Sequence, residues 1–236
     1  MQYVGSKQKL AKYLIPFILN DADNSKWYIE PFVGSFGMMT NVYRDKRIAN
    51  DINFYLIEVY KAIIDGWIPP EIVTEDQYND IKNNKTKYDP WVVGFVRYAC
   101  SFAGKWFGGY ARTITKKGIA VNFALRGKNS LLKKKENLNN IVIHNTEYKN
   151  FYIPPESIIY CDPPYKGTTP YKGVSAFDHE VFYDWCREMK TNGHKIFVSE
   201  YNMPDDFVCI WQKPVKITIN SDGSNIKHNI EKLYTL

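Results

Sequence analysis

The chain has 236 residues and a net charge of +6, a length that suits one large hydrophobic core or a core with an inserted subdomain. No stretch approaches the roughly 20 apolar residues that span a bilayer, and the N-terminal residues lack the apolar core of a signal peptide, so we do not expect a membrane protein. The four cysteines are widely scattered, so their spacing predicts neither a zinc site nor a disulfide framework.

The first predicted element is a helix over residues 6–19, because apolar residues recur there at the spacing of one helical face. These residues are Leu10, Leu14, Phe17 and Ile18. Pro16 lies inside the pattern and predicts a kink or an early end, because proline lacks an amide hydrogen. Ser6 is a candidate N-cap, and Lys7 beside a helix N-terminus could bind a carboxylate. The alternative is an ordinary capped surface helix.

A strand followed by a glycine-containing turn comes next. Residues 27–30 are predicted to form the strand, Pro31 ends it, and a helix is predicted over 37–44. Gly34 and Gly37 allow a tight turn in which the backbone approaches a ligand closely. A strand, such a turn and a helix form the nucleotide-binding start of dinucleotide folds, although Gly-x-x-Gly is less specific than the full three-glycine pattern.

A second short strand, predicted over residues 47–51, ends in a carboxylate. Asp51 comes 14 residues after Gly37. An acid at the end of the second strand is the expected partner for the hydroxyl groups of a ribose. The alternative is an N-cap for the helix predicted over 54–65, and one side chain could serve both purposes.

Residues 66–140 interrupt the alternation of strands and helices. A helix is predicted over 71–84, with an inner face of Ile72, Tyr78 and Ile81. Between residues 90 and 135 there are ten Lys or Arg residues and no Asp or Glu, mixed with aromatic residues. Such an excess of cations is typical of a surface that binds a polyanion, and aromatic rings could stack or wedge against bases. A solvated basic face and a small aromatic core are the alternatives. The candidate nucleic-acid contacts are Lys105, Arg112, Lys116, Lys117, Arg126 and Lys128.

The alternation resumes with strands predicted over residues 141–144 and 157–161. The second is an apolar run that suits a strand buried on both faces. Asp-Pro-Pro-Tyr follows it and ends it, because neither proline can donate to a β-ladder. These four residues are therefore expected at the carboxyl end of a core strand, where ligands bind in open α/β sheets.

The residues of this turn suit one kind of chemistry. An amine conjugated to a flat ring is a poor nucleophile, so it needs hydrogen-bond acceptors and a platform for the ring. Asp162 and the carbonyl of Pro163 could accept the hydrogens, and Tyr165 could stack on the ring. The alternative is a proline-rich turn that merely ends a strand, because short motifs have a real false-positive rate.

The C-terminal part predicts one more helix and an antiparallel edge. Asp178 is a candidate N-cap for a helix over residues 178–192, and a strand is predicted over 195–199. The inner side of that helix is predicted to consist of Val181, Phe182, Trp185 and Met189. Three further strands are predicted over residues 207–211, 215–219 and 232–236. Their short connections indicate antiparallel pairing at one edge of a mostly parallel sheet.

Four motifs in this order resemble those of a Dam-type, alpha-class DNA adenine methyltransferase. They are Tyr-x-Gly-x-Lys from Tyr3, Glu-Pro-Phe-x-Gly-x-x-Gly from Glu30, Asn-Asp-Ile-Asn from Asn50 and Asp-Pro-Pro-Tyr from Asp162. The resemblance covers residues 1–65 and about 145–236. It implies the α/β fold of S-adenosylmethionine-dependent methyltransferases, Rossmann-like, with an inserted target-recognition subdomain. It also fits an enzyme encoded by a phage.

The resemblance implies a role for each matching residue. The catalytic positions would be Asp162, Pro163, Pro164 and Tyr165. The cofactor-binding positions would be Tyr3, Lys7, Phe32, Gly34, Gly37, Asp51 and Asp162. The reaction would transfer a methyl group from S-adenosylmethionine to the N6 amine of an adenine flipped out of double-stranded DNA, would leave S-adenosyl-L-homocysteine, and needs no metal. Methylation of the cytosine N4 amine, methylation of a protein amide and a DNA-binding homologue without activity are the alternatives.

The same resemblance implies a division of the chain into domains. Residues 1–65 and 141–236 would form the catalytic domain, and residues 66–140 would form the target-recognition subdomain. We expect a monomer or weak dimer in the cytoplasm of a bacterium or of a phage-infected cell. The sequence does not predict which DNA sequence is recognised.

Overall fold

A computed structural model of the chain describes residues 5–20, 23–115, 117–166, 177–218 and 226–236. The chain divides into two compact units. The sheet unit comprises the described residues of 9–33, 41–52 and 140–236. The helical unit comprises the described residues of 1–8, 34–40 and 53–139. No helix of the described residues is long and apolar enough to cross a membrane.

The sheet unit contains seven strands and two helices. The strands are β1 (Tyr28–Glu30), β2 (Arg47–Asn50), β3 (Ile141–His144), β4 (Ile158–Cys161), β5 (Lys195–Glu200), β6 (Val208–Thr218) and β7 (Ile226–Thr235). The helices of this unit are α1 (Ala11–Ile18) and, after β4, α6 (His179–Thr191). The helical unit contains α2 (Phe54–Ile64), α3 (Glu75–Asn83), α4 (Pro90–Cys100) and α5 (Phe123–Lys135).

The strand order is β3-β2-β1-β4-β5-β7-β6. Strands β1 to β5 pair in parallel, whereas β7 is antiparallel to both β5 and β6. The first five positions match the doubly wound order of dinucleotide-binding folds. The predicted fold class, a mostly parallel α/β sheet with an antiparallel edge, is therefore confirmed.

The core of the sheet unit is built as the sequence predicts. Every residue of β1, β2 and β4 is buried, as expected for central strands covered on both faces. Asp178 caps α6, because its side chain accepts hydrogen bonds from the backbone of Glu180 and Val181, both at 3.1 Å. Phe182 and Trp185 pack inward, but Val181 is 45% exposed, so its predicted place on the inner face was wrong.

Two predictions about the N-terminal third were also wrong. The helix predicted over 6–19 begins only at Ala11, after a 3-10 turn over Lys7–Lys9, and no side chain caps it. Pro16 lies inside it, and the helix continues two residues beyond. The helix predicted over 37–44 is a single 3-10 turn over Met39–Asn41.

The antiparallel edge consists of one long hairpin rather than three short strands. The strands predicted over 207–211 and 215–219 are a single strand, β6, with Pro214 inside it. A proline cannot donate to a ladder, but β6 lies at the edge of the sheet and needs only one partner, β7. Ile219, the last residue of the predicted strand, lies outside the described residues.

The helical unit is organised around α4. All its residues from Val93 to Cys100 are buried, which is typical of a helix surrounded by neighbours. A Cβ atom at Gly94 would lie 2.3 Å from the carbonyl oxygen of Tyr55, so α2 and α4 can approach this closely only at a glycine. Likewise, a Cβ atom at Gly127 on α5 would lie 2.6 Å from the Cβ of Ala99.

Helix ends in this unit differ from the predicted ones. The helix α3 begins at Glu75, where Thr74 and Gln77 form a capping box. Ile72 precedes the helix and is 70% exposed, so its predicted place on the inner face was wrong, whereas Tyr78 and Ile81 are buried. The helix α2 is capped by the side chain of Asn53, and Asp51 is not its N-cap.

Candidate active site

The Asp-Pro-Pro-Tyr sequence lies directly after β4, at its carboxyl end and in the middle of the sheet. Asp162 and Tyr165 are partly exposed, whereas Pro163 is buried and Pro164 is exposed. The order of the strands reverses between β1 and β4, because β1, β2 and β3 proceed to one side and β4 and β5 to the other. Ligands of open α/β sheets bind at such a switch point, so the Asp-Pro-Pro-Tyr residues lie where a ligand is expected.

The ends of neighbouring strands are joined by the buried side chain of Asn50, the last residue of β2. Its amide nitrogen donates to the carbonyl oxygens of Pro31 and Thr146, both at 3.0 Å. Its Oδ1 accepts from the Thr146 backbone at 3.1 Å, and the Asn145 amide donates to the carbonyl oxygen of Asp51 at 2.7 Å. These bonds fix the backbone of Asp51 at the same edge of the sheet as the Asp-Pro-Pro-Tyr sequence.

Phe32, the aromatic residue after β1, belongs to a cluster of rings in the sheet unit. Its ring centroid lies 5.1 Å from that of Tyr148, 5.7 Å from Phe177 and 5.6 Å from Phe182. Phe32 is partly exposed. The sheet unit therefore brings Phe32 and the carboxylates after β2 and β4 to one edge.

Residues of β5 and β7 hold the loop that follows β4. The Tyr165 hydroxyl donates a short hydrogen bond to Oε1 of Glu231 on β7. The next backbone amide, that of Lys166, donates to Oε2 of Glu200 at 3.1 Å. The ring of Tyr201 meets that of Tyr165 edge to face, with 4.7 Å between centroids and 88° between planes. Two buried carboxyl groups therefore accept hydrogen bonds from consecutive residues of the loop.

The sheet unit is unusually acidic around this loop. Glu30, Glu200 and Glu231 are all at most 4% exposed. Burial raises the pKa of Glu200 to about 7, and the charges of Asp162 and Glu231 raise it too, against backbone hydrogen bonds that lower it. In the described part of the chain, no group of three or more His, Cys, Asp and Glu side chains could hold a metal ion.

The raised pKa of Glu200 predicts a pH-dependent stability. The folded state binds the proton more tightly than the unfolded state, so this stabilisation is present below about pH 4.5 and is lost as pH rises through about 7. Relative to wild type, Glu200→Gln should therefore gain about 1–3 kcal/mol in free energy of unfolding between pH 5 and pH 8. Urea unfolding between pH 5 and pH 8 measures the difference in free energy of unfolding between Glu200→Gln and wild type. The exposed Glu188→Gln is the control. A pH-independent difference would contradict the prediction.

The glycine-containing turn lies in the helical unit, where its backbone is tightly constrained. Gly34 and Phe36 both have positive φ values, of 49° and 58°. A Cβ atom at Gly37 would lie 2.8 Å from the backbone nitrogen of Gln8 and 3.1 Å from Oγ of Ser6. Gly37 is therefore required by the close approach of the N-terminal segment, a reason that the sequence pattern alone does not reveal.

Two side chains hold the carbonyl oxygen at the centre of this turn. The hydroxyl of Tyr60 donates to Ser35 O at 2.6 Å, and the Nζ of Lys134 also donates to it. The ring of Phe36 packs on that of Tyr60, with centroids 4.0 Å apart. Lys7 is buried in this unit, whereas Tyr3 lies outside the described residues.

One cation of the basic segment is part of the core. Arg97 on α4 is only 4% exposed. Its guanidinium carbon lies 3.7 Å from the ring centroid of Tyr98 and 5.2 Å from that of Trp106. Arg97 therefore stabilises the helical unit by cation–π contact, and it does not contribute to a charged surface.

The six candidate nucleic-acid contacts differ in their surroundings. Arg112 forms an ion pair with Glu75, and Lys128 forms one with Glu71 at 3.0 Å. Both acids lie before the acid-free stretch, so the sequence pattern did not reveal these pairs. Lys116 lies outside the described residues. The remaining three candidates are exposed; they are Lys105, Lys117 and Arg126.

A small antiparallel hairpin carries one of these exposed lysines. Ile114 and Ala120 form an isolated bridge, and the Thr115 backbone donates to Ile119 O at 2.8 Å. Lys117 lies at the tip. Ile114 and Ile119 are 69% and 63% exposed, so the hairpin that carries Lys117 also exposes apolar side chains. The sequence analysis missed this hairpin, because its strands are too short to show a β-pattern.

Comparison with known proteins adds independent findings. Residues 3–96 match the family model of the D12 class N6 adenine-specific DNA methyltransferases. The Asp-Pro-Pro-Tyr sequence lies beyond this match. The chain is similar to the Type II methyltransferase M.FokI of Planomicrobium okeanokoites, with 24% identity over 208 residues, which cover 79% of this chain and 31% of that protein.

A second relative is aligned along almost its whole length. The Type II methyltransferase M.MjaIII of Methanocaldococcus jannaschii is 25% identical over 283 aligned positions, which cover 99% of this chain and 96% of that protein. Among solved structures, that of SMU.472 complexed with SAH is similar at 12% identity and a TM-score of 0.36, over 98% of this chain and 52% of that one. The chain thus spans about a third of M.FokI and about half of SMU.472.

Proposed function

We propose that this chain is a D12 class DNA methyltransferase, which transfers a methyl group from S-adenosylmethionine to the exocyclic N6 amine of adenine. The observation that carries the proposal is the position of Asp-Pro-Pro-Tyr at the carboxyl end of the central strand β4, at the switch point of the sheet. The match of residues 3–96 supports it from a different part of the chain.

The loop after β4 offers what an aromatic amine needs in order to act as a nucleophile. The carboxylate of Asp162 and the carbonyl oxygen of Pro163 would accept the two amine hydrogens and direct the nitrogen lone pair out of the ring plane. The ring of Tyr165 would stack on the adenine after it leaves the duplex. Holding the amine in line with the methyl carbon would supply much of the acceleration.

The residues of the sheet edge suit S-adenosylmethionine as the methyl donor. When bound, this cofactor supplies a methyl group made electrophilic by a sulfonium, which becomes neutral when the methyl group leaves. Asp51 stands after β2, where an acid would accept hydrogen bonds from ribose hydroxyls. Tyr3, Lys7, Phe32, Gly34 and Gly37 keep the cofactor-binding roles that the resemblance implies.

The basic segment of the helical unit is proposed to contact DNA within a target-recognition subdomain over residues 66–140. Lys105, Lys117 and Arg126 are exposed and could contact phosphates directly. Arg112 and Lys128 would exchange their carboxylate partners for DNA. The exposed Ile114 and Ile119 of the hairpin could wedge against bases.

The function is tested by methyl transfer to unmethylated DNA. The purified chain is incubated with DNA and S-adenosylmethionine labelled in its methyl group, and the DNA is digested to nucleosides. We expect the label in N6-methyladenine, and Asp162→Ala should remove it. Label in N4-methylcytosine would replace the proposal by its nearest alternative. DNA binding without any transfer would identify a homologue that has lost activity.

Replacing Asp51 tests the cofactor role separately. Asp51→Ala should weaken S-adenosylmethionine binding roughly ten- to a hundredfold, because a hydrogen bond to a charged group contributes about 1.5–3 kcal/mol. DNA binding should not change. Isothermal titration calorimetry measures the affinity for S-adenosylmethionine. Lys7→Ala should weaken this affinity by a similar factor. The exposed Asp65→Ala serves as control, and an unchanged cofactor affinity in Asp51→Ala would refute the ribose role.

A further inference from the structure

The loop that carries Tyr165 depends on a residue 66 positions further along the chain. Glu231 lies on β7, whose pairing with both β5 and β6 fixes its backbone. Its side chain is 4% exposed and accepts the hydrogen bond of the Tyr165 hydroxyl. A hydrogen bond from a hydroxyl to a buried carboxylate is among the stronger kinds in proteins.

This hydrogen bond restricts the orientation of the Tyr165 ring, which must be fixed if the ring is to stack on a base. The backbone after Pro164 places the Cα of Tyr165, but the direction of the ring depends on two side-chain torsions. Anchoring the hydroxyl, at the far end of the ring, restricts χ1, because the hydroxyl oxygen moves with χ1 but lies on the axis of χ2. The edge-to-face contact with Tyr201 then restricts the tilt of the ring.

The supporting residues are themselves held by β7. The hydroxyl of Tyr234 donates to the carbonyl oxygen of Tyr201 at 3.2 Å, and Nζ of Lys232 donates to Oδ1 of Asn202 at 3.2 Å. The strand that carries Glu231 therefore also orders the turn that carries Tyr201. The antiparallel edge of the sheet thus forms a rigid support for one ring of the loop after β4.

We propose that Glu231 is a positioning residue for methyl transfer, which holds the Tyr165 ring through its hydroxyl in the orientation that stacks on the target base. This inference rests on the proposed function. Glu231 contacts neither the base nor the cofactor in this account, and it acts only through Tyr165. Small errors in the placement of a reacting group reduce the rate strongly, so the loss should appear in kcat.

The test compares substitutions that remove the hydrogen bond with one that keeps it. Tyr165→Phe keeps the ring and removes the hydroxyl, and Glu231→Leu removes the acceptor at similar volume. Each should lower kcat roughly ten- to a hundredfold, while KM for S-adenosylmethionine stays within about threefold. Glu231→Gln keeps an acceptor oxygen and should retain activity within about fivefold of wild type. The double variant Tyr165→Phe/Glu231→Leu should be no slower than the slower single variant, because both changes remove one interaction.

A matched control separates this effect from a general weakening of β7. The Thr235 hydroxyl donates to Ile196 O at 2.8 Å, and Thr235→Val removes that bond of the same strand at nearly equal volume. It should leave kcat unchanged. Losses in the double variant that multiply, or a Tyr165→Phe variant as active as wild type, would overturn the inference. If Glu231→Leu does not fold, Tyr165→Phe alone tests whether the hydrogen bond between Tyr165 and Glu231 is needed for methyl transfer. An inactive wild type would instead refute the proposed function.

Discussion

Asp162→Ala is expected to reduce methyl transfer by roughly 10²–10⁴-fold, the range typical of a group that handles a proton of the reacting atom. The carboxylate would accept a hydrogen of the amine at the moment the nitrogen attacks, and alanine offers no acceptor. The fold should persist, because Asp162 follows β4 and is not one of its buried strand residues. Single-turnover methylation and thermal unfolding of the same preparation measure both quantities.

Two further variants test whether the effect of Asp162→Ala comes from the loss of its hydrogen-bond acceptor. Asp162→Asn keeps one acceptor oxygen without the charge, so its activity should lie between those of wild type and Asp162→Ala. Asp178→Ala removes a carboxylate that caps α6 in the same unit, which should lower the free energy of unfolding by about 0.5–2 kcal/mol and leave the chemical step intact. Activity of Asp162→Ala within a few-fold of wild type would refute the catalytic assignment.

DNA binding is expected to fall steeply with salt concentration, because each phosphate that a cation neutralises releases condensed counterions. If about six phosphates are contacted, affinity should drop by about three orders of magnitude between 50 and 200 mM salt. Replacing Lys116 and Lys117 together with alanine should reduce the slope of log affinity against log salt by up to about 2 and weaken binding to all sequences alike.

Other substitutions distinguish phosphate contacts from base contacts. Arg112→Ala or Arg126→Ala should instead relax the preference at one base position, at a cost of about 1–3 kcal/mol. Lys195→Ala is the control, because Lys195 is exposed at the amino end of β5, opposite the edge where ligands bind. Binding across a salt series measures all of these. A wild-type slope near zero would mean that the segment is only a solvated basic face.

Local sequence patterns predicted the elements whose cause is local. The strands β1, β2, β3 and β4 lie within one residue of their predicted bounds, because each is a short segment centred on apolar residues and followed at once by a residue that ends strands or begins a turn. The helix α6 was predictable because its N-cap, Asp178, and its buried residues follow one pattern. The Asp-Pro-Pro-Tyr turn was predictable for the same reason.

What the sequence could not predict depends on residues far apart in the chain. Glu231 supports Tyr165 only because β7 inserts between β5 and β6, and no local pattern indicates that register. Arg97 was counted among the surface cations because composition does not distinguish a cation on a surface from one stacked on buried rings. The segment after Gly37 has the composition of a helix but forms only a 3-10 turn, and it follows a residue of positive φ, Phe36, which the sequence does not reveal.

The path of the chain through its two units limits which segments could be exchanged with those of relatives. The chain crosses from one unit to the other five times, at 8/9, 33/34, 40/41, 52/53 and 139/140. The helical unit is therefore not one continuous segment that two cuts would release, because its described residues also include 5–8 and 34–40. An exchange of residues 66–140 between relatives would leave α2 behind and break its contact with α4 at Gly94. Grafts restricted to the exposed hairpin avoid this, since its described residues, 113–115 and 117–121, contribute little to the buried core.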